Sequence, residues 1–171
     1  SFESYQKHPY VPAGETTSGI TLGYGYDLGH QSETAIRREL AGLYSIEAVD
    51  RLVAVAGKKG ASARTALDQV VDIEITREHA LELAKRTKQR FAQSVVDMYP
   101  EVQALHPHCR GALLSLVYNR GTSFGTAGSD SRREMREIRE HLSTGLPENV
   151  PDTIRSMKRL WENRGLGGLL A

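Results

Sequence analysis

Apolar residues recur every three to four positions along most of the chain. This spacing is the period of an amphipathic α-helix, which packs one face on a core and turns the other to solvent. It predicts helices over residues 32–43, 46–56, 76–98, 108–120, 131–143 and 152–163, with a weaker helix over 62–71. In the longest helix, a stripe of apolar and small residues from Ala80 to Met98 is predicted to face the core.

Polar residues and glycines indicate where several of these helices begin and end. Ser45 and Thr76 are predicted N-caps, because a hydroxyl at that position can accept a hydrogen bond from an amide of the first turn. Gly60 and Gly121 are predicted helix stops. The Gly- and Ser-rich segment 121–131 is predicted to be a flexible loop.

Residues 14–29, GETTSGITLGYGYDLG, depart from the helical pattern and alternate in polarity as a β-hairpin does. One predicted face carries Ile20, Leu22, Tyr24 and Tyr26, and the other carries Gly19, Thr21, Gly23, Gly25 and Asp27. A face made largely of glycine allows another molecule or another backbone to approach closely. The side chains of Thr21 and Asp27 are therefore predicted to stand on an open face of the hairpin. The fold class predicted is α+β, mainly helical, with a small β-hairpin lobe.

Length and charge narrow the range of functions. The 171 residues fit a single domain, and 39% apolar and 25% charged residues are typical of a globular protein. The 22 basic and 21 acidic residues leave a net charge of +1, which provides no long-range field for capturing nucleic acid or an anionic membrane. The charged run RREMREIRE (132–140) is predicted to be a solvated helix face. No run reaches the roughly 18 to 20 apolar residues of a membrane span.

The chain begins at Ser1 rather than at a methionine and shows no secretory signal pattern. We therefore expect a domain excised from a larger protein, whose targeting information can lie in the part that is missing.

Cysteine and histidine do not indicate a metal or cofactor site. The single cysteine, Cys109, excludes an internal disulfide and a cysteine-cluster zinc site, and it is predicted to be a buried or half-buried structural thiol rather than a nucleophile. His106 and His108 flank Pro107, where a capped helix start is favoured over a metal site because no third ligand has suitable spacing.

One carboxyl group near the beginning of the chain has neighbours suited to acid catalysis. Hydrolysis of a glycosidic bond needs a carboxylic acid that protonates the leaving oxygen, and a second group that manages the water on the other side of the sugar. Apolar surroundings keep such an acid protonated near neutral pH, and Phe2 and Tyr5 flank Glu3. From residue types alone, a solvated glutamate remains the more common interpretation.

Several segments resemble those of phage-type lysozymes. FES (2–4), HPY (8–10) and SGITLGYGYDLG (18–29) are similar to the start of that family, where a catalytic glutamate ends the first helix and a T-x-G-x-G hairpin follows. ALLSLVYNRG (112–121) and SMKRLWENRGLGGLL (156–170) are similar to its core helix and its closing helix. The resemblance implies a lysozyme-like fold, with a hairpin lobe and a helical lobe, and a muramidase activity on bacterial peptidoglycan.

The position of the second carboxyl resembles one branch of this superfamily. Asp27 follows Thr21 by six residues, as in the pesticin-like muramidase domains of bacteriocins and antibacterial effectors. That resemblance implies an active site of Glu3, Thr21 and Asp27, acting by inversion: Glu3 donates a proton while Asp27 and Thr21 activate a water. The carboxyl groups of Glu3 and Asp27 are then expected to lie roughly 6.5 to 9.5 Å apart. In ordinary phage lysozymes the acid precedes the threonine by six, which makes Glu15 the rival second carboxyl.

Four further residues are candidates for contacts with the sugar. Tyr24, Tyr26 and His30 have flat rings with polar tips, which suit the faces of a saccharide, although core packing explains the two tyrosines equally well. Asn119 resembles a polar family position that faces the cleft. Its amide is suited to an N-acetyl group or, as the alternative, to capping the end of its helix.

Two other functions remain open. A lytic transglycosylase needs only one glutamate, and a non-catalytic peptidoglycan-binding module with the same fold needs none. The expected partner is the glycan strand of the periplasm or cell wall, with an immunity protein in the producing cell. A monomer is expected, with no cofactor, no nucleic acid and no membrane insertion. Endolysin, bacteriocin and secreted effector all remain open as the biological setting.

Overall fold

The computed structural model describes residues 4–14 and 17–160 of the chain. The chain forms two compact units, residues 1–89 and 90–171, and the boundary falls inside one long helix rather than in a linker. The predicted mainly helical α+β fold is confirmed, since a small antiparallel sheet is accompanied by seven α-helices in the described residues. The single 171-residue domain stays a prediction.

The first unit combines the sheet with the first helices. Strands β1 (Gln6–Tyr10), β2 (Thr21–Gly23) and β3 (Tyr26–Asp27) pair in the order β1-β2-β3, each antiparallel to its neighbour. The helices that follow are α1 (Glu33–Leu40), α2 (Ile46–Ala54), α3 (Gly60–Ala66) and the first part of α4 (Arg77–Met98). Fully buried aliphatic side chains from the hairpin and these helices form one core, among them Ile20, Leu22, Leu28, Ile36, Leu40, Leu52, Ile75 and Leu83.

Strand β1 has no counterpart in the predicted elements. It lies at the edge of the sheet, and only Pro9 among its five residues is fully buried. A strand at a sheet edge can leave most side chains in solvent and can carry a proline, so no alternating pattern is needed for it to form. The family resemblance placed the segment before it at the end of a helix; the described residues from Ser4 onward lead directly into β1.

Most helix boundaries agree with the prediction. The hydroxyl of Ser45 accepts a hydrogen bond from the amide of Ala48 at 3.2 Å, and Thr76 accepts one from His79 at 3.1 Å, which confirms both N-caps. The predicted stop at Gly60 is wrong, because this glycine is the first residue of α3.

The second unit contains the rest of α4 together with α5 (Pro107–Arg120), α6 (Arg133–Ser143) and α7 (Val150–Ser156). Gly121 ends α5 in a left-handed conformation, as predicted, and its amide donates to the carbonyl of Val117 at 2.8 Å. A separate core is formed by buried residues that include Val95, Met98, Tyr99, Leu113, Val117, Met135 and Ile138. The core stripe predicted along α4 therefore contributes to two cores, with Ala80 and Leu83 in the first and Val95 and Met98 in the second.

Cys109 is exposed, so the prediction of a buried thiol is wrong. It lies in the first turn of α5, before the apolar part of that helix reaches the core. His106 is the N-cap of the same helix, and its Nδ1 accepts a hydrogen bond from the amide of His108 at 3.3 Å. The capped helix start predicted there is confirmed.

The segment 121–131 was predicted to be flexible from its composition, but arginine side chains bind its backbone. Arg136 donates to the carbonyl oxygens of Phe124 and Ser129, both at 2.8 Å. Three further guanidinium groups bond main-chain carbonyls in or beside the segment: Arg120 to Ser131, Arg132 to Arg120, and Arg159 to Asp130. Each guanidinium presents five donors in a rigid fork, so a few such side chains can order a loop that lacks bulky side chains of its own.

Glu134 in α6 is buried, although its charged run was predicted to be a solvated face. Only 1% of its side chain is exposed, and its Oε1 accepts hydrogen bonds from Arg159 at 2.7 Å and from Arg133 at 3.2 Å. Burial alone would raise the pKa of this carboxyl, but the hydrogen bond from Arg159, a backbone hydrogen bond and the two cationic charges outweigh burial and lower the pKa. Glu134 is therefore an ionised group held inside the second unit.

Within the described residues, no helix combines the length and the apolar character that crossing a bilayer requires.

Replacing Glu134 with glutamine is expected to destabilise the protein near neutral pH by about 1 to 3 kcal/mol, because a buried charged acceptor loses its charge. A carboxyl whose pKa is lower in the folded state stabilises the fold above its ordinary value and loses that contribution as the pH falls. The difference between the wild type and Glu134→Gln should therefore shrink as the pH drops below the ordinary value of 4.5. Urea unfolding followed by circular dichroism at pH 7 and at acidic pH measures both effects.

Glu137→Gln is the matched control, since this glutamate lies on the same helix and contacts Arg133 at 3.5 Å with 42% of its side chain exposed. Exposed ion pairs contribute little, so this variant should stay close to the wild type. Equal losses in the two variants would contradict a special role for the buried carboxylate.

Candidate active site

The hairpin of β2 and β3 brings Thr21 and Asp27 opposite each other. The two residues are partners in the antiparallel register, and Leu22 pairs with Tyr26 closer to the turn. The turn closes through a hydrogen bond from the amide of Gly25 to the carbonyl of Leu22 at 3.1 Å, with Gly25 in a left-handed conformation that glycine adopts without strain. Directly opposed residues of a strand pair carry their side chains on the same side, so the sequence places these two candidates correctly relative to each other.

The carboxylate of Asp27 is fixed by two backbone amides. Its Oδ1 accepts hydrogen bonds from Gly29 at 2.7 Å and from Gly19 at 2.9 Å. The first of these bonds caps the short 3-10 turn Leu28–His30, and the second ties that turn to the residues before β2. The side chain is 19% exposed, and Oδ2 accepts no backbone hydrogen bond within the part of the chain that the structure describes.

The glycines beside Asp27 allow two backbone segments to touch. A Cβ atom on Gly19 would lie 2.5 Å from the amide nitrogen of Gly29 and 2.6 Å from the carbonyl oxygen of Lys58. On Gly23, a Cβ atom would lie 2.7 Å from the Cβ of Ala80 in α4. The glycine face of the hairpin therefore packs against other parts of the same unit.

Thr21 does not lie on an open face, as the alternation predicted, but is only 2% exposed. Its Oγ1 donates a hydrogen bond to the carbonyl of Gly19 at 3.2 Å. That bond uses the hydroxyl proton and leaves the oxygen lone pairs available as acceptors. The prediction was wrong because alternation separates the two faces of a strand without showing what covers each face.

His30 lies beside Asp27 on the exposed edge of the 3-10 turn. Its Nε2 is 3.0 Å from the carbonyl oxygen of Thr17 and 3.8 Å from Oδ2 of Asp27. Its Nδ1 is 3.2 Å from the ammonium group of Lys59, a residue that the sequence analysis did not select. Half of the imidazole side chain, 52%, is exposed.

The two candidate tyrosines of the hairpin have different surroundings. Tyr26 is buried, and its hydroxyl donates to Oε2 of the buried Glu39 at 2.7 Å, so core packing describes its position. Tyr24 is partly buried, its ring centroid lies 5.7 Å from that of Tyr5, and its hydroxyl accepts a hydrogen bond from Arg77 at 3.1 Å. Of the two residues, Tyr24 is the more exposed.

More aromatic and polar groups lie near the start of β1. The hydroxyl of Tyr5 donates to the carbonyl of Ile75, and the rings of Tyr44 and His79 meet edge to face at 5.1 Å. The Tyr44 hydroxyl and His79 Nδ1 are buried and have no hydrogen-bond partner among the described residues. Burial raises the pKa of Tyr44 to about 12, so this phenol stays a neutral donor at physiological pH.

Two further candidate residues lie outside the described residues, and a third belongs to the second unit. Glu3 and Glu15 lie outside the described residues, and so does the predicted separation of the Glu3 and Asp27 carboxyls. Asn119 belongs to the second unit, where its amide donates to the carbonyl of Ser115 at 2.8 Å in the last turn of α5. That bond lies within α5, whose end is capped by the amide of Gly121, and both roles suggested for Asn119 stay predictions.

Among the described residues, no group of three histidine, cysteine, aspartate or glutamate side chains is arranged to hold a metal ion.

Two residues that contact the candidate site, Lys59 and Glu39, were not predicted from the sequence. Lys59 follows a short segment without apolar periodicity. Glu39 lies on a helix whose other charged residues are exposed. Neither carries a motif; each is selected only by its contact with a hairpin residue.

Gly19→Ala should destabilise the first unit by about 1 to 3 kcal/mol or more, because the added methyl group would overlap backbone atoms that cannot rotate away. Gly111→Ala in α5 is the control, since nothing lies within 4 Å of the added methyl and alanine favours a helix. Thermal unfolding of the two variants measures the contrast. A Gly19→Ala protein as stable as Gly111→Ala would contradict the close packing of the two segments.

Comparison with known proteins gives one family. No curated protein matches the chain. A family model described as "Domain of unknown function (DUF8812)" matches residues 2–118, which include the sheet, the hairpin and most of α5. Because that match covers more than half of the 171 residues, the chain belongs to the DUF8812 family.

Proposed function

We propose that this protein is a muramidase that hydrolyses the β-1,4 bond between N-acetylmuramic acid and N-acetylglucosamine in peptidoglycan. The observation that carries the proposal is the pairing of Thr21 with Asp27 across the hairpin, with the Asp27 carboxylate fixed by two backbone amides. A carboxylate and a hydroxyl held on one side of a strand pair are suited to orient a water molecule. The resemblance to pesticin-like muramidases supports the same pair of residues.

The proposed roles divide the reaction between two sides of the sugar. Glu3 donates a proton to the leaving oxygen, while Asp27 removes a proton from the attacking water. Oδ1 of Asp27 is held by Gly19 and Gly29, so Oδ2 is the atom that serves as base. Attack by water from the side opposite the leaving group inverts the anomeric carbon.

Thr21 would act through its lone pairs. Its proton is donated to Gly19, so Oγ1 can accept a hydrogen from the water and direct the water's oxygen toward the sugar. Because Thr21 is buried, a water bound to it would be shielded from bulk solvent, which would strengthen the polar contacts of that water.

Two alternatives make different use of the same residues. A lytic transglycosylase needs no water-activating group, so the organised Asp27 carboxylate favours hydrolysis. A non-catalytic peptidoglycan-binding module would use Asp27 only as the cap of its turn, a role that the two amide bonds fulfil by themselves. A substitution that removes the charge of Asp27 but keeps its hydrogen bonds therefore separates the catalytic role from the structural one.

The biological setting proposed is antibacterial. A muramidase of this kind acts in the periplasm or cell wall, kills by lysis and requires an immunity protein in the cell that produces it. We propose that the chain acts as a monomer on glycan strands and needs no cofactor.

The two proposed catalytic carboxyls should be essential and the rival one should not. Glu3→Gln and Asp27→Asn are expected to lower the rate of peptidoglycan lysis by about 100- to 10,000-fold, because proton transfer is lost while the side-chain shape is kept. Glu15→Gln should retain most of the activity. Turbidity loss of a peptidoglycan suspension measures the rates, and thermal unfolding checks that each variant is folded.

Asp27→Asn is informative because an amide oxygen can still accept from Gly19 and Gly29, so the turn keeps its cap. A folded Asp27→Asn protein with normal lysis would reduce Asp27 to a structural residue. Loss of activity in Glu15→Gln instead would indicate the arrangement of ordinary phage lysozymes.

The configuration of the first product distinguishes the mechanisms. Inversion at a β linkage should release muramic-acid ends in the α configuration, because water attacks from the face opposite the bond that breaks. Proton NMR of early products, recorded before mutarotation, detects this anomer. A β product would indicate a retaining enzyme, and an anhydro-sugar end would indicate a transglycosylase.

A further inference from the structure

One contact beside Asp27 is not used by the proposed mechanism. Lys59, at the start of α3, places its ammonium group 3.2 Å from Nδ1 of His30, and His30 adjoins the free oxygen of Asp27. We propose that Lys59 and His30 are a positioning pair for Asp27: Lys59 stabilises the His30 ring in the tautomer that donates to Thr17, and His30 holds the segment 17–19 that anchors the carboxylate. This inference rests on the proposed function, since it assigns further residues to the same site.

The tautomer follows from the donors available. An ammonium group has only hydrogens to offer, so Nδ1 of His30 must be the acceptor in this contact. In a neutral imidazole the other nitrogen then carries the hydrogen, and the acceptor next to Nε2 is the carbonyl of Thr17 at 3.0 Å. Lys59 and the carbonyl of Thr17 thus favour the same tautomer of His30, in which Nδ1 accepts and Nε2 donates.

The hydrogen bond to Thr17 reaches Asp27 through the backbone. Thr17 lies two residues before Gly19, whose amide is one of the two donors to Oδ1 of Asp27. The carbonyl of Ser18, between them, accepts a hydrogen bond from the amide of Gly60 at 2.9 Å. The residues at the start of α3 therefore hold the segment 17–19 at two points, one through a side-chain pair and one through the main chain.

His30 also limits where the free oxygen can go. Its Nε2 lies 3.8 Å from Oδ2 of Asp27, too far for a hydrogen bond but close enough for the N–H dipole to attract a carboxylate. The amides of Gly19 and Gly29 hold one oxygen of the carboxylate, so the other oxygen stays on the His30 side. By holding the segment that contains Gly19, the pair supports this orientation of the carboxylate.

The start of α3 holds Lys59 itself in place. The amide of Lys59 donates to the hydroxyl of Ser62 at 3.1 Å, and that hydroxyl donates back to the carbonyl of Lys59 at 2.8 Å. The backbone that bears the ammonium group is thereby fixed, although the side chain itself is exposed. Lys58, its neighbour, makes no contact with His30 among the described residues and provides a matched control.

The test compares Lys59→Met with Lys58→Met, which remove the same charge one residue apart. In Lys59→Met we expect kcat on soluble glycan strands to fall by about 3- to 10-fold, because one hydrogen bond that orders the site is lost. KM should stay within about twofold, since substrate contacts are unchanged. Lys58→Met should match the wild type, and Lys59→Arg should restore most of the activity because it keeps a cationic donor.

Nitrogen-15 NMR of the His30 ring tests the pair without any substrate. The wild type and Lys58→Met should show a protonated Nε2 and an unprotonated Nδ1, whereas in Lys59→Met the Nδ1 signal should shift and Nδ1 should carry a hydrogen in a larger share of molecules. The amide signal of Gly19, which reports its bond to Asp27, should shift in Lys59→Met and in His30→Ala. An unchanged His30 spectrum in Lys59→Met, or equal kcat values in the two lysine variants, would overturn the proposal.

Failure of the proposed function gives a different result. A wild-type protein that releases no sugar ends from peptidoglycan would refute the muramidase, while the ring nitrogens and the Gly19 amide would still show whether Lys59 orders the loop. A muramidase with normal kinetics after Lys59→Met would leave the function standing and refute the pair.

Discussion

The hydrogen bonds that Oδ1 of Asp27 accepts from Gly19 and Gly29 are the constraint on which the β-lobe depends. Strands β2 and β3 have three and two residues, too few for an isolated hairpin to be stable in water. The carboxylate extends this short ladder, because it joins the segment that enters β2 to the turn that leaves β3. The first residue of α3, Gly60, reinforces the same two segments by donating to Ser18, and Gly57 in the loop before α3 does so by donating to Leu28.

This arrangement gives the two oxygens of one carboxylate separate tasks. Oδ1 stabilises the fold by accepting the two amide hydrogen bonds, and Oδ2 is the oxygen proposed to act in catalysis. Aspartate suits the first task because its short side chain reaches an amide two residues further along its own backbone. The same hydrogen bonds therefore stabilise the hairpin and hold the proposed active site in place. A mutation that removes the whole side chain would lower both stability and activity, so its effect on catalysis could not be separated from its effect on folding.

The helices could be predicted from the sequence because their burial follows a regular period, and caps such as Ser45 and Gly121 carry their own local chemistry. Strand β1 could not, because an edge strand needs no apolar alternation. The pairing of Thr21 with Asp27 follows from strand geometry, whereas the burial of Thr21 depends on what packs over the strand.

Contacts distant in sequence account for the other differences. Glu134 looks like one charge among many in its helix, and its burial depends on Arg159, 25 residues further along the chain. Lys59 is separated from His30 by 29 residues, and no local pattern connects them. The division of the α4 stripe between two cores is likewise invisible in a period that continues unchanged through the helix.

The way in which the loop 121–131 is held has a consequence for its variation during evolution. Arg136 binds carbonyl oxygens of the loop, which every amino acid supplies, whereas Arg159 binds both the carbonyl and the carboxylate of Asp130. Relatives can therefore exchange the exposed side chains of this loop other than Asp130, while a change in its length would move the carbonyls away from their donors. The loop can diversify its surface chemistry at constant backbone shape, much as an antibody loop of fixed conformation does.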